Sequence, residues 1–169
     1  MLVFGNGELQ VQGYTNSDFM FDIDDRKSTS ESLFVCNGGA VSWKSSKQTV
    51  IADSTMEAEY IAASEAAKEA FWYKKFATEI RVMPSDAIPL YCNNNGAIAL
   101  AKESSSHKKF KHIERWYHLI RDYLEKGYVE VKRVNSTDNV ADPLTKPLGQ
   151  QKSEAHLEKM GLRLVANWL

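Results

Sequence analysis

An excess of charge of either sign is missing from this chain: 21 Lys and Arg stand against 22 Asp and Glu, a formal net charge of −1 over 169 residues. A global positive excess, the easiest argument for a nucleic-acid partner, is therefore absent, and any such case must rest on local clustering. Cysteine is scarce as well. Cys36 and Cys92 form no C-x-x-C pair and no metal-ligand set, which removes a disulfide scaffold and leaves two buried free thiols in a reducing cytoplasmic or nuclear compartment as the expectation. No run approaches the roughly 18 uncharged apolar residues of a membrane-spanning helix. Met1 to Gly5 lacks a basic start and a long apolar stretch, so neither secretion nor a membrane partner is expected. What is present is a globular composition. Hydrophobic residues make up 43%, with four Trp, seven Tyr and seven Phe, which argues against disorder and for one domain with a real core.

Hydrophobic periodicity gives the order of elements. Leu9, Val11 and Gly13 alternate with Gln10 and Gln12, a period of two that runs on to Asn16 and predicts a first strand. Leu33 to Cys36 and Ala40 to Trp43 flank Asn37-Gly38-Gly39, which predicts a hairpin. The period then changes. Ser54-Thr-Met-Glu57 is a capping box, and Met56, Tyr60, Ala63, Ala67 and Phe71 follow at helical spacing with no Gly or Pro before Pro84, predicting a helix over about 54–80. Its Ala62, Ala63, Ala66, Ala67 and Ala70 let it lie close on a sheet. Ile88 to Cys92 reads as a strand, Ala97 to Lys102 as a short helix, His112 to Lys126 as a helix ended by Gly127, and Tyr128 to Val134 as a strand. Ser136-Thr-Asp138 can cap a last helix, and Gln150 to Leu169 is expected to add a short helix and tail. The order β-β-β-α-β-α-α-β-α is an α/β unit with a mixed sheet.

Polar residues collect at the ends of these elements. Asn16 and Asp18 share one face of the first strand, Glu59 is on the first turns of the long helix, Asn93 ends the fourth strand and Asp142 is expected to open the last helix. Carboxylates gathered from strand ends and helices are how a protein builds a two-magnesium site, because hard cations want oxygen ligands. Each residue taken singly also has a structural role: a cap for Asp142, a solvated helix position for Glu59, a turn for Asn93 to Asn95.

A second feature is basic. Lys102, Lys108, Lys109, Lys111, Arg115 and Arg121 face only Glu103 and Glu114, with Phe110 and Trp116 interleaved. That composition suits phosphate contact as well as it suits a solvated helix face. His107, His112 and His118 lie here too, at intervals that share no helical face, which argues against zinc.

Seven motifs occur in order: Gly13-Tyr-Thr-Asn-Ser-Asp18, Asp22-Ile-Asp-Asp-Arg-Lys-Ser-Thr-Ser30, Gly39-Ala-Val-Ser-Trp-Lys44, Ser54-Thr-Met-Glu-Ala-Glu-Tyr-Ile-Ala62, Tyr91-Cys-Asn-Asn-Asn-Gly-Ala-Ile98, Lys111-His-Ile113 and Val140-Ala-Asp-Pro-Leu-Thr-Lys146. Together they closely resemble the ribonuclease H domain of copia-type retrotransposon Pol polyproteins, over nearly the whole chain. The resemblance implies a ribonuclease H-like fold, a five-stranded mixed sheet flanked by helices, over residues 1–149 with a C-terminal helix and tail over 150–169 packed on it.

It also implies a function. In that family four carboxylates hold two magnesium or manganese ions that hydrolyse the RNA strand of an RNA/DNA hybrid. By motif they fall at Asn16, Glu59, Asn93 and Asp142, so two of the four are amides here. Position 31 departs as well, since Ser30 is followed by Glu31 where the family usually has Gly. Two dications 4 Å apart repel by roughly 17 kcal/mol at an effective dielectric of 20, so losing two ligand charges weakens or abolishes cation binding. Glu59 and Asp142 remain as ligands, with Asp18 the candidate for partial compensation. Hydrolysis is expected to be lost or severely reduced, while Lys102, Lys108, Lys109, Lys111, His112 and Arg115 would still contact hybrid or other nucleic acid. The alternative is an exapted, non-catalytic protein that interacts with or regulates a host partner.

Overall fold

The computed structural model describes residues 9–20, 24–81, 86–103, 119–144 and 149–162. Five strands form one sheet in the order β3-β2-β1-β4-β5: β1 (Val11–Asp18), β2 (Thr29–Cys36), β3 (Gly39–Lys47), β4 (Ile88–Cys92) and β5 (Val129–Arg133). β1, β2 and β3 are antiparallel neighbours, and β4 pairs with β1 and β5 with β4 in parallel, which needs the helical crossovers that precede them. The expected sequence of strands and helices is found as far as β5, after which two 3-10 turns precede the last helix.

The β2–β3 turn is tight because Asn37 and Gly38 have φ of 48° and 82°, the two positive values a type I′ turn needs. α1 (Thr55–Glu79) starts where the capping box predicts. Ser54 Oγ accepts from Glu57 N–H at 3.2 Å, but the Glu57 carboxylate reaches one residue further back, accepting from Asp53 N–H at 2.8 Å. All seven alanines of α1 are buried, and Ala58, Ala63, Ala66, Ala67 and Ala70, with Tyr60 and Ile61, share one core with Phe34, Leu90, Ile88, Val129 and Val131 of the sheet. Both cysteines are buried free thiols.

α2 (Asn95–Lys102) and α3 (Leu119–Glu125) lie on the α1 side, with Leu100 and Ile120 in the same core. The rest of the expected 112–126 helix lies outside the described residues. The opposite face of the sheet carries a smaller core of Leu33, Val35, Val140, Ala141 and Met160. Here the expectation for Asp142 needs correcting: it opens a 3-10 turn, Asp142–Leu144, and α4 (Gln150–Lys159) begins later. Pro143 permits this, since its missing N–H and fixed φ suit the start of a helical turn. α4 is docked through its end, where Met160 O accepts from Ala40 N–H at 2.8 Å.

Candidate active site

Four chain segments converge beside Asn16. The β1/β2 register sets Asn16 directly opposite Glu31, so the two side chains leave the same face of the sheet. β4 runs parallel to β1 with Cys92 opposite Thr15, which delivers Asn93 to the neighbourhood of Asn16. Asp142 is brought in by Asn139, a fully buried residue whose Nδ2 donates to Thr15 O at 2.9 Å while its Oδ1 accepts from Ala141 N–H at 3.2 Å. Asp142 N–H closes this turn onto Asn139 O at 3.1 Å. Asn139 thus fastens the C-terminal segment to β1 one residue from Asn16.

The geometry at the centre is that of an amide. Asn16 is 1% exposed, and its Nδ2 donates to Asp142 Oδ1 at 3.2 Å and to Glu31 Oε2 at 3.4 Å. Its Oδ1 accepts from Asn93 Nδ2 at 3.3 Å. Donors must face carboxylates and acceptors must face N–H groups, so this network sets the orientation of both amides. A carboxylate at position 16 could make neither of the two donated bonds.

Glu59 approaches from α1. It is buried, and its carboxylate is near enough to Cys92 to act on it: burial first, then the Glu59 charge, push the Cys92 thiol up to about 12. The neighbouring Asn94 has a different task from Asn93. Its Oδ1 caps α2 by accepting from Ala97 N–H at 3.1 Å. Asp18 sits at the end of β1, half-buried and paired in register with Thr29.

The divalent cations that the motif pattern implies do not fit the residues as they stand. The Asn16 N–H groups point at the Asp142 and Glu31 carboxylates, where a cation would need bare oxygen, and Asn93 turns a nitrogen inward. Among the described residues no group of three or more His, Cys, Asp or Glu side chains is arranged to hold a metal ion.

Of the basic stretch, Lys102 is exposed at the end of α2. Lys108, Lys109, Lys111, His112 and Arg115 lie outside the described residues. Arg121 is not part of a phosphate-binding face. It is 8% exposed, and its Nε and Nη2 donate to Leu100 O at 3.3 and 3.1 Å, holding α3 against the end of α2.

No family model matches the chain. It is 40% identical over 161 residues to the retrovirus-related Pol polyprotein from transposon TNT 1-94 of Nicotiana tabacum, covering 95% of this chain and 12% of that protein. A second relative, the Pol polyprotein from transposon RE2 of Arabidopsis thaliana, is 32% identical over 154 residues, 91% of this chain and 11% of its own length. The chain is a ribonuclease H-like domain related to copia-type transposon Pol polyproteins. It corresponds to about an eighth of these long relatives. A solved ribonuclease H1 isolated from compost by a metagenomic approach has the same fold, with a TM-score of 0.54 at 14% identity, over 80% of this chain and 91% of that one.

Within this ribonuclease H-like domain, three of the residues picked out by motif, Asn16, Asn93 and Asp142, lie in one hydrogen-bonded cluster. Glu31 and Asn139 were missed as parts of it. The departure at position 31 was visible in the sequence, but its place beside Asn16 was not. For Asn139 the signal was a turn-forming Asn three residues before Asp142.

Proposed function

We propose that this domain binds RNA/DNA hybrid and has lost, or all but lost, the divalent-cation-dependent hydrolysis of the RNA strand. The observation that carries the loss is the amide at the centre: Asn16 hydrogen-bonds both surrounding carboxylates, using the oxygens a cation would need. An amide also brings no charge to offset cation repulsion and gives no negative oxygen to a bound water. Support for binding comes from the Lys102–Arg115 basic stretch. Recognition would follow minor-groove width and 2′-hydroxyls, with little base preference.

Cleavage of a labelled hybrid in magnesium and in manganese tests this, comparing the chain with the Asn16→Asp, Asn93→Asp double variant and recording binding in the same samples. Binding by both proteins and cutting by the double variant alone is the expected result. Cutting by the unaltered chain would overturn the loss of hydrolysis. Binding that is unchanged by Lys108→Glu, Lys109→Glu and Lys111→Glu together, in strength and in salt dependence, would overturn the nucleic-acid role.

A second reading, a non-catalytic protein-interaction module, is favoured by one observation. Trp72 and Phe76 of α1 and Ile80 at its C-cap are each about half exposed at four-residue spacing, with the Trp72 and Phe76 rings stacked at 5.3 Å. Unaltered hybrid affinity in the triple Lys variant would move the weight to this face.

A further inference from the structure

We propose that Asn16 and Glu31 are a matched pair, in which the Asn16 amide supplies the Glu31 and Asp142 carboxylates with hydrogen-bond donors that a carboxylate at position 16 could not. This rests on the reading of the site as one that has given up its cations. It goes beyond that reading by assigning a role to Glu31 and a dependence of one substitution on the other.

Glu31 is 1% exposed in the middle of a three-strand antiparallel segment, flanked by β1 and β3. A glutamate is seldom buried this deeply without a hydrogen-bonding partner for its charge. Its register partner on β1 is Asn16, whose Nδ2 lies 3.4 Å from Glu31 Oε2. The second hydrogen of the same Nδ2 serves Asp142. One –NH2 group therefore faces two carboxylates with its positive end, and Asn93 polarises it further by donating to its Oδ1. With Asp at position 16, both donated bonds vanish and a third carboxylate meets Glu31 and Asp142 at the same distances. A cation or a proton would relieve that repulsion. Glu31 therefore suits an amide at position 16, and Asn16 is a positioning residue for both carboxylates.

The test is thermal melting of the full chain in EDTA and in 10 mM magnesium, with no nucleic acid present. Asn16→Asp is expected to lower Tm in EDTA by about 10 °C and to regain part of that loss in magnesium, whereas the unaltered chain shifts by less than about 2 °C. Asn16→Asp, Glu31→Gln should recover at least half of the EDTA loss, and Glu31→Gln alone should cost far less than Asn16→Asp. Should Asn16→Asp fail to fold, folding of the Glu31→Gln double variant supports the pairing in the same way. A Tm for Asn16→Asp in EDTA equal to that of the unaltered chain overturns the pairing. So does recovery by Asp18→Asn in place of Glu31→Gln, or failure of both double variants to fold. None of these readouts involves cleavage, so hydrolysis by the unaltered chain would overturn the proposed function while leaving the pairing to be judged on its own.

Discussion

Gly161→Ala measures how firmly the C-terminal segment is clamped onto the sheet. Gly161 follows α4 with a φ of 73°, and a Cβ built there would lie 2.3 Å from Gly38 O and 3.0 Å from Gly39 Cα. Both are backbone atoms of the β2–β3 turn, which its two positive φ values hold in shape, so neither has a flexible side chain's freedom to move. The left-handed backbone alone costs about 1 kcal/mol for Ala. Relieving the clash means drawing α4 away from the turn, which breaks the Met160 O to Ala40 N–H bond, worth about 1 kcal/mol. It also loosens Met160 from Leu33, Val35 and Val140, with up to about 2 kcal/mol of burial at stake. The sum is about 2–4 kcal/mol, or roughly 5–15 °C in Tm for a domain of this size. Two other glycines separate the contributions. Gly38 shares the positive φ but has open space, so Gly38→Ala should cost only about 1 kcal/mol. Gly149 has open space and an ordinary φ of −61°, so Gly149→Ala should change stability by only a few tenths of a kcal/mol. Urea unfolding of the three variants provides the comparison. If Gly161→Ala costs no more than Gly38→Ala, α4 is not clamped against the turn.

Three further outcomes are expected. Asn139→Ala leaves the buried Thr15 carbonyl and Ala141 N–H without their side-chain partner and should cost about 2–3 kcal/mol in urea unfolding; a loss below about 0.5 kcal/mol would mean Asn139 does not fasten the C-terminal segment. Burial raises the Cys36 thiol, and burial with the Glu59 charge raises Cys92 to about 12, so iodoacetamide at pH 8 should label neither in the folded protein and both in urea, and rapid native labelling of Cys92 would contradict its placement. Burial and Lys159 hold the His156 imidazole below its usual value near 6.5, so the unfolded chain takes up that proton first, and stability present above about pH 6.5 is lost as pH falls through the lowered folded value; the Tm drop from pH 7.5 to 5.5 should be smaller in His156→Gln, and an equal drop in both proteins would refute this.

The legible part of this molecule is the part governed by local rules. Alternation marked the strands, the 3.6-residue period and the Ser54 cap marked α1, and Asn37-Gly38 marked a turn whose length fixes a register, pairing Cys36 with Gly39. The motifs pick out positions 16, 59, 93 and 142 without showing what separates them in space, and Asn16, Asn93 and Asp142 lie in one hydrogen-bonded cluster. Asn139 escaped because its partner, Thr15, is 124 residues away along the chain, and nothing local in Asn139-Val-Ala-Asp142 distinguishes a tether from an ordinary turn.

Glu31 escaped for a more specific reason. β1 and β2 are joined across residues 19–28, and a loop of that length does not dictate which residues face each other as a two-residue turn does. In the register adopted, Asn16 meets Glu31, flanked by Thr15 opposite Ser32 and Ser17 opposite Ser30. A slip of one residue would set a serine against Asn16 and turn Glu31 to the other face of the sheet, toward the apolar core under α1. An unpartnered carboxylate there would cost several kcal/mol, so burying Glu31 next to an amide donor disfavours that slip. The same side chain that departs from the motif at position 31 thus helps hold the register that places it beside Asn16. Glu31→Leu would remove that preference, and its effect should show as faster amide exchange in β1 and β2 rather than as a loss confined to the site.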